Sequence, residues 1–94
     1  MAVVEIINKK GLHARAAAKF VKTVAGFEAQ VTVVKLGQEG EGDSPAVQGS
    51  SILGLMMLGA DAGSKLSLEA TGPQADDLVA ALSALLADRF GEPE

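Results

Sequence analysis

Three stretches of the chain have the apolar, β-branched composition or the alternation typical of β-strands. Residues 2–8 are rich in Val and Ile and stop at a Lys-Lys-Gly break, a pattern that favours a strand. Residues 30–36 have a similar composition, and residues 65–70 alternate apolar and polar positions, which predicts two further strands. A short returning strand is predicted at residues 46–48.

The first helix is predicted over residues 14–25, which consist mostly of strong helix formers. Its apolar stripe contains Phe20, Val21 and Val24, and its solvent side is predicted to carry Lys19 and Lys22. Gly26 follows, and glycine is a frequent residue just past the end of a helix.

A second, shorter helix is predicted in the apolar run that follows Ser50. Ser51, or Ser50 itself, is placed to cap its N-terminus, and Gly59 is placed to end it. The run is too apolar for so short a helix to bury it on one side. Leu53 and Met56 therefore either belong to the core or form an exposed, adaptable docking patch for another protein.

The last helix is predicted after the turn at residues 71–73, with Pro73 near its first helical position. Its buried stripe at helical spacing consists of Leu78, Val79, Leu82, Leu85, Leu86 and Phe90. The polar tail, residues 91–94, is expected to be frayed. Residues 37–45 are polar, acidic and rich in glycine, which predicts a surface loop.

The elements follow the order strand, helix, strand, short strand, helix, strand, helix. Such interleaving around one core indicates an α+β fold in which helices cover one face of an antiparallel or mixed sheet. A chain of 94 residues without internal repeats is predicted to form a single domain, residues 1–94.

Composition and charge exclude several classes of function. The net charge is −4 and candidate sheet aromatics are lacking, so no nucleic-acid partner is expected. The chain has no cysteine, which excludes a thiolate metal site and a cysteine nucleophile, and we expect no metal or cofactor.

No secretory signal or membrane-spanning stretch is evident, which favours a cytoplasmic protein. With one histidine and no organised carboxylate pair, an enzyme is not expected.

The only histidine, His13, stands where a helix N-terminus favours a bound anion. The same field favours the neutral imidazole, which is the form able to attack phosphorus. Arg15 can add charge-assisted hydrogen bonds to the transferred oxygens. The alternative is structural, with His13 as the helix N-cap and Arg15 merely solvated. Five basic residues gather nearby and suggest a small anion or an acidic protein surface as partner: Lys9, Lys10, Arg15, Lys19 and Lys22.

Two motifs together resemble the HPr family, the histidine-containing phosphocarriers of the bacterial phosphoenolpyruvate-dependent phosphotransferase system. They are Gly-Leu-His-Ala-Arg at residues 11–15 and Ser-Ile-Leu-Gly-Leu-Met-Met-Leu-Gly at residues 51–59. The resemblance implies an open-faced β-sandwich, with three helices on one face of a four-stranded antiparallel sheet. It also implies that Enzyme I phosphorylates His13 on Nδ1 and that an Enzyme IIA-type protein then receives the group.

The resemblance implies roles for four further residues. Arg15 matches the family's phosphate-neutralising arginine, and Leu53 and Met56 fall on the surface that Enzyme I and the IIA proteins share. Ser51 matches the serine that a kinase/phosphorylase modifies in part of the family. From the residues alone, Ser51 is either only an N-cap or an N-cap that also accepts a phosphate.

Three features depart from the family pattern. Ala16 replaces the usual proline, which would pre-set the first helical turn. The loop at residues 37–45 is longer than usual, and Ser50 stands where many relatives have lysine. The Leu-Met-Met-Leu-Gly run and the Asp-Arg-Phe-Gly ending are more similar to the nitrogen-related branch than to the sugar-importing one.

We therefore expect a monomeric phosphocarrier that cycles between His13 and phospho-His13, in sugar uptake or in nitrogen and carbon regulation. The alternative is a regulatory, partner-binding domain controlled by Ser51 phosphorylation or by a small ligand, because small α/β domains serve both purposes.

Overall fold

The computed structural model describes residues 1–94, with a four-stranded sheet and three helices. The strands are β1 (Ala2–Glu5), β2 (Gln30–Lys35), β3 (Val47–Gln48) and β4 (Lys65–Thr71), and the helices are α1 (Ala14–Ala25), α2 (Ile52–Met57) and α3 (Ala75–Ala87). All strand pairs are antiparallel, in the order β1–β4–β2–β3. The helices lie on one face, so the predicted α+β open-faced sandwich is confirmed.

The core lies between the sheet and its helices. Leu66 and Leu68 of β4 are fully buried, whereas Glu69 of the same strand is exposed on the open face, as the period-2 geometry of a strand requires. Seventeen buried apolar residues form one cluster, which includes Phe20 of α1 and Leu82 of α3. Each fully buried Val, Leu, Ile or Phe side chain of this cluster stabilises the fold by about 1.5–3 kcal/mol relative to exposure.

β1 is shorter than the strand predicted over residues 2–8. Its last residue, Glu5, pairs with Lys65, the first residue of β4. Beyond that pair, Ile6 still exchanges backbone hydrogen bonds with Ser64 and Gly63. The partner segment turns at Gly63, whose φ is +92°, and the regular strand ends there. Ile6 is nevertheless fully buried. The prediction was therefore wrong about the extent of the strand.

α1 has the predicted bounds, with one difference on its polar side. Phe20 and Val24 are buried and Lys22 is exposed, as predicted. Lys19, also predicted to face solvent, is half-buried. Its ammonium group donates to the carbonyl oxygen of Phe90 at 2.5 Å, which ties α1 to the C-terminal segment.

α2 begins immediately after Ser51, and its N-cap is Ser51 rather than Ser50. Gly59, with a φ of +62°, follows its end as predicted. The loop at residues 37–45 forms no helix or strand. Lys35 and Ser44 close it with two hydrogen bonds of 2.9 Å, and β3 follows.

α3 starts later and ends earlier than predicted. Ala75 donates its N–H to the carbonyl of Gly72, so Pro73 lies inside the preceding turn and not near the first helical position. At the other end, Arg89 and Phe90 have φ values of 54° and 55°. This left-handed conformation costs about 1–3 kcal/mol for each non-glycine residue. Phe90 is buried, as expected, but from this turn and not from the helical stripe.

The C-terminal tail, predicted to be frayed, is docked on the loop between β1 and α1. The carbonyl of Glu94 accepts the N–H of Lys9 at 2.9 Å, and the Glu92 side chain is only 13% exposed. The left-handed turn redirects the chain toward this loop, an effect that a helical pattern does not reveal. None of the helices combines the length and the apolar character needed to cross a bilayer.

Gly11 allows the loop before α1 to pass close to the chain after α2. Its φ is +71°, and a Cβ at this position would lie 2.5 Å from the carbonyl oxygen of Ala60. The same oxygen accepts the N–H of Leu12 at 2.9 Å, and Leu12 is buried. A side chain at residue 11 would therefore disturb the contact that positions the following residue, His13.

We expect Gly11→Ala to destabilise the protein more than Gly40→Ala, measured by chemical unfolding. Gly40 has a similar φ of +83° but nothing within 4 Å of an added Cβ, so its substitution carries only the left-handed penalty of about 1–2 kcal/mol. Gly11→Ala adds a backbone clash, worth about 1–3 kcal/mol more. Equal losses of stability in the two variants would contradict the close-approach explanation.

Candidate functional site

His13 is the N-cap of α1. Its backbone is extended, with φ −77° and ψ 179°, and its Nδ1 accepts the N–H of Arg15 at 3.3 Å. Its carbonyl oxygen accepts the N–H of Ala17 at 2.8 Å. His13 is therefore the helix N-cap, as the structural alternative predicts. This role does not exclude a role as nucleophile, because an Nδ1 that accepts a hydrogen bond carries no proton. The capping lone pair is the one that an attack on phosphorus requires.

The helix also begins regularly without the family's usual proline. Ala16 is fully buried in the first turn, and the hydrogen bond that closes this turn, from Ala17 to His13, is intact. The side chain of Arg15 is exposed and makes no ion pair. Its guanidinium is therefore available to an anion at the helix N-terminus.

The other ring nitrogen of His13 contacts the C-terminal tail. Nε2 lies 2.5 Å from Oε2 of Glu92, and the two side chains are 28% and 13% exposed. A carboxylate accepts hydrogen bonds, so Nε2 is the protonated nitrogen in this arrangement. The hydrogen bonds at both nitrogens therefore agree on one tautomer, with the proton on Nε2 and a lone pair on Nδ1.

Asn8 supports Glu92 from inside the loop. Its side chain is fully buried, and its Nδ2 donates to the carbonyl of Gly11 at 2.8 Å and to Oε1 of Glu92 at 3.0 Å. Its Oδ1 is buried without a hydrogen-bond partner. An unpaired buried oxygen is costly. The amide is nevertheless oriented so that its Nδ2 connects the loop, at Gly11, to the tail, at Glu92.

These contacts lower the pKa of Glu92. Burial by itself would raise the pKa of this carboxyl group. The hydrogen bonds from His13 and Asn8, with the positive charge of Lys10, outweigh burial and hold the pKa of Glu92 below its ordinary value. Glu92 is therefore ionised at neutral pH.

A cavity of about 250 Å³ lies beside His13. It is lined by Lys9, Lys10, Arg15 and residues 92–94 of the tail, and it has room for a phosphoryl group. Three of the five clustered basic residues thus meet at the histidine. Lys19 instead bonds Phe90, and Lys22 does not line this cavity.

The second motif is divided between the core and the surface. Leu55 and Leu58 are buried, whereas Leu53 and Met56 are 69% and 42% exposed. Of the two alternatives left open for Leu53 and Met56, core or exposed surface, the structure shows exposure. The Oγ of Ser51 accepts the N–H of Gly54 at 2.9 Å, which is the capping geometry.

Sequence reasoning missed Asn8 and Glu92. His13 and Glu92 are 79 residues apart, and the tail in which Glu92 lies was expected to be frayed. Asn8 was counted as the end of a strand. The position of Asn8, a polar residue at the end of a Val- and Ile-rich stretch, is a weak signal for its role. No local sequence feature points to Glu92.

Comparisons with known proteins show the family of this chain. The family described as "PTS HPr component phosphorylation site" matches residues 2–88. The chain belongs to the HPr family. Among its relatives is the phosphocarrier protein HPr of Cupriavidus necator, 45% identical over 95% of this chain and 92% of the relative. The phosphocarrier protein NPr of Escherichia coli K12 is 38% identical, again over 95% of this chain and 92% of the relative.

Solved structures give the same result. The crystal structure of HPr-C-His from Thermoanaerobacter tengcongensis matches with a TM-score of 0.84 and 39% identity, covering 99% of this chain and 97% of that one. As a member of the HPr family, the chain has a phosphocarrier role. The alternative of a purely regulatory domain is not favoured.

The lowered pKa of Glu92 predicts a specific pH dependence of stability. A carboxyl group with a lower pKa in the folded than in the unfolded state stabilises the fold above its unfolded pKa, and this contribution is lost as the pH falls through the folded value. We expect the stability difference between the wild type and Glu92→Gln to be constant above about pH 5 and to shrink on acidification through about pH 4 and below. Urea unfolding at several pH values measures it, and a difference that stays constant to pH 3 would contradict the assignment.

Proposed function

We propose that Nδ1 of His13 accepts a phosphoryl group from Enzyme I and passes it to an Enzyme IIA-type protein. The observation that carries the proposal is that Nδ1 accepts the Arg15 N–H at the N-terminus of α1, beside a cavity lined by Lys9, Lys10 and Arg15. A nucleophile needs an accessible lone pair, and the developing anionic charge needs donors nearby. Both are present at this atom.

The first turn of α1 and Arg15 would stabilise the transferred group. On phosphorylation, the Arg15 N–H would lose its bond to the Nδ1 lone pair and become free to donate to a phosphoryl oxygen. The guanidinium of Arg15 would add charge-assisted hydrogen bonds. The group is then held at a helix N-terminus, where the dipole favours negative charge.

The protein would act as a stoichiometric carrier and not as an enzyme. One histidine supplies the nucleophile, and the proposal requires no metal or cofactor. Exposed Leu53 and Met56 would contribute an apolar surface on which Enzyme I and IIA-type proteins dock. We also propose that the carrier is a monomer and that it acts in the cytoplasm.

Ser51 enters the proposal as a regulatory position. Its Oγ is occupied as the N-cap of α2, and modification by a serine kinase/phosphorylase would replace this cap with a dianion beside the docking surface. The branch of the family that the chain serves, sugar import or nitrogen-related regulation, would be decided by which IIA-type protein accepts the group.

Replacing the histidine tests the proposal. Incubation with Enzyme I and ³²P-labelled phosphoenolpyruvate should give a stoichiometric, acid-labile label on the wild type and none on His13→Ala. Ser51→Ala is the matched control and should accept label like the wild type. Label retained on His13→Ala would overturn the assignment.

Arg15 is expected to affect the rate of transfer more than the fold. We expect Arg15→Ala to slow phosphoryl acceptance by about tenfold to a hundredfold, since one charge-assisted interaction is lost. Lys22→Ala removes an exposed positive charge from the last turn of the same helix and serves as the control for net charge. Equal slowing in both variants, measured by rapid quench, would indicate a general charge effect instead.

A further inference from the structure

The C-terminal tail forms a chain of hydrogen bonds that ends at the reacting imidazole. Asn8 is held by the carbonyl of Gly11 and donates to one oxygen of Glu92, and the other oxygen of Glu92 accepts from Nε2 of His13. The two residues that support the imidazole are well buried: Asn8 is 0% exposed and the Glu92 side chain is 13% exposed. A fixed carboxylate therefore contacts the nitrogen opposite the nucleophilic one.

Several further contacts hold the tail in this place. Arg89 and Phe90 adopt left-handed backbone conformations, which non-glycine residues keep only when the surrounding structure imposes them. Phe90 is buried, and its carbonyl accepts from the ammonium group of Lys19. The strained turn delivers Glu92 to His13, and the family match ends before it, at residue 88.

We propose that Glu92, supported by Asn8, is a positioning residue for phosphoryl transfer at His13. Glu92 holds the proton on Nε2 and so keeps the lone pair on Nδ1. It also fixes the plane of the ring relative to the cavity. Asn8 acts one step further away by orienting the carboxylate.

The carboxylate also balances charge during transfer. The Nδ1 lone pair forms the bond to phosphorus while the bond between phosphorus and the donor breaks, and the electron pair of that broken bond stays with the donor. Nε2 keeps its proton throughout, so the ring becomes a positively charged phosphoimidazolium. Glu92 lies against that N–H and neutralises the charge, as a buried carboxylate does for a catalytic histidine elsewhere. Transfer to the acceptor reverses these changes.

This inference rests on the proposed phosphoryl acceptance at His13, but part of it can be tested without any transfer. Because His13 is the only histidine, ¹⁵N spectra of histidine-labelled protein report its two ring nitrogens without assignment. In the wild type with a neutral ring, we expect Nε2 to carry the proton. In Glu92→Ala only the Arg15 N–H still favours this tautomer, so we expect a larger fraction of the Nδ1-protonated form.

Rates of phosphorylation by Enzyme I test the kinetic part. We expect Glu92→Ala to slow acceptance by about tenfold to a hundredfold, the effect of losing one charged hydrogen bond. Glu92→Gln keeps a hydrogen-bond acceptor but not the charge, so an intermediate rate is expected. Glu69→Gln removes an exposed carboxylate from the open face of the sheet, outside the cavity lining, and should react like the wild type.

The outcomes separate the two proposals. Wild-type rates and an unchanged tautomer in Glu92→Ala would overturn the role of Glu92 while leaving His13 as the acceptor. Equal slowing in Glu92→Gln and Glu69→Gln would overturn it in favour of a general effect of net charge. A wild type that accepts no label would remove the proposed function, whereas the tautomer measurement would still decide whether Glu92 positions the ring. Thermal unfolding of each variant verifies that the fold is retained.

Discussion

The hydrogen bond from the Arg15 N–H to Nδ1 of His13 links the fold of this protein to its chemistry. It starts α1 at the end of a loop that Gly11 allows to pass close to Ala60. Because the bond requires a free lone pair on Nδ1, the group that caps the helix is also the group able to react. The sequence presented capping and phosphoryl acceptance as alternatives, but the proposed acceptance would use the same electron pair that now caps the helix.

Most of the fold could be predicted from local patterns. The bounds of α1 and the cap at Ser51 depend on residues close in sequence, so composition and turn chemistry were sufficient. The errors lie where partners distant in sequence decide the outcome. β1 ends at Glu5, where its partner strand begins at Lys65. The left-handed turn at Arg89 and Phe90 is joined to α1 by the hydrogen bond from Lys19 to the Phe90 carbonyl. Neither constraint is visible in periodicity.

The candidate site likewise has residues that the sequence predicts and residues that only the folded structure reveals. His13 and Arg15 are neighbours in a short motif, and helix electrostatics explains their chemistry without knowledge of the fold. Asn8 and Glu92 are 84 residues apart, and an acidic residue in a polar tail is ordinarily solvated. Only the folded chain brings that carboxylate to the imidazole. The lowered pKa of Glu92 is a consequence of this assembly.

The order of the strands has a consequence for how the protein is made. Ala2 at the start of the edge strand β1 pairs with Leu68 in the inner strand β4, so most of the chain lies between these two partners in sequence. Such long-range pairing forms late, because the intervening loop must be closed first. During synthesis the histidine emerges early, but the strand that β1 pairs with and the tail carboxylate emerge near the end. The complete site around His13 is therefore a property of the finished fold, and the Gly-Leu-His-Ala-Arg segment alone does not contain it.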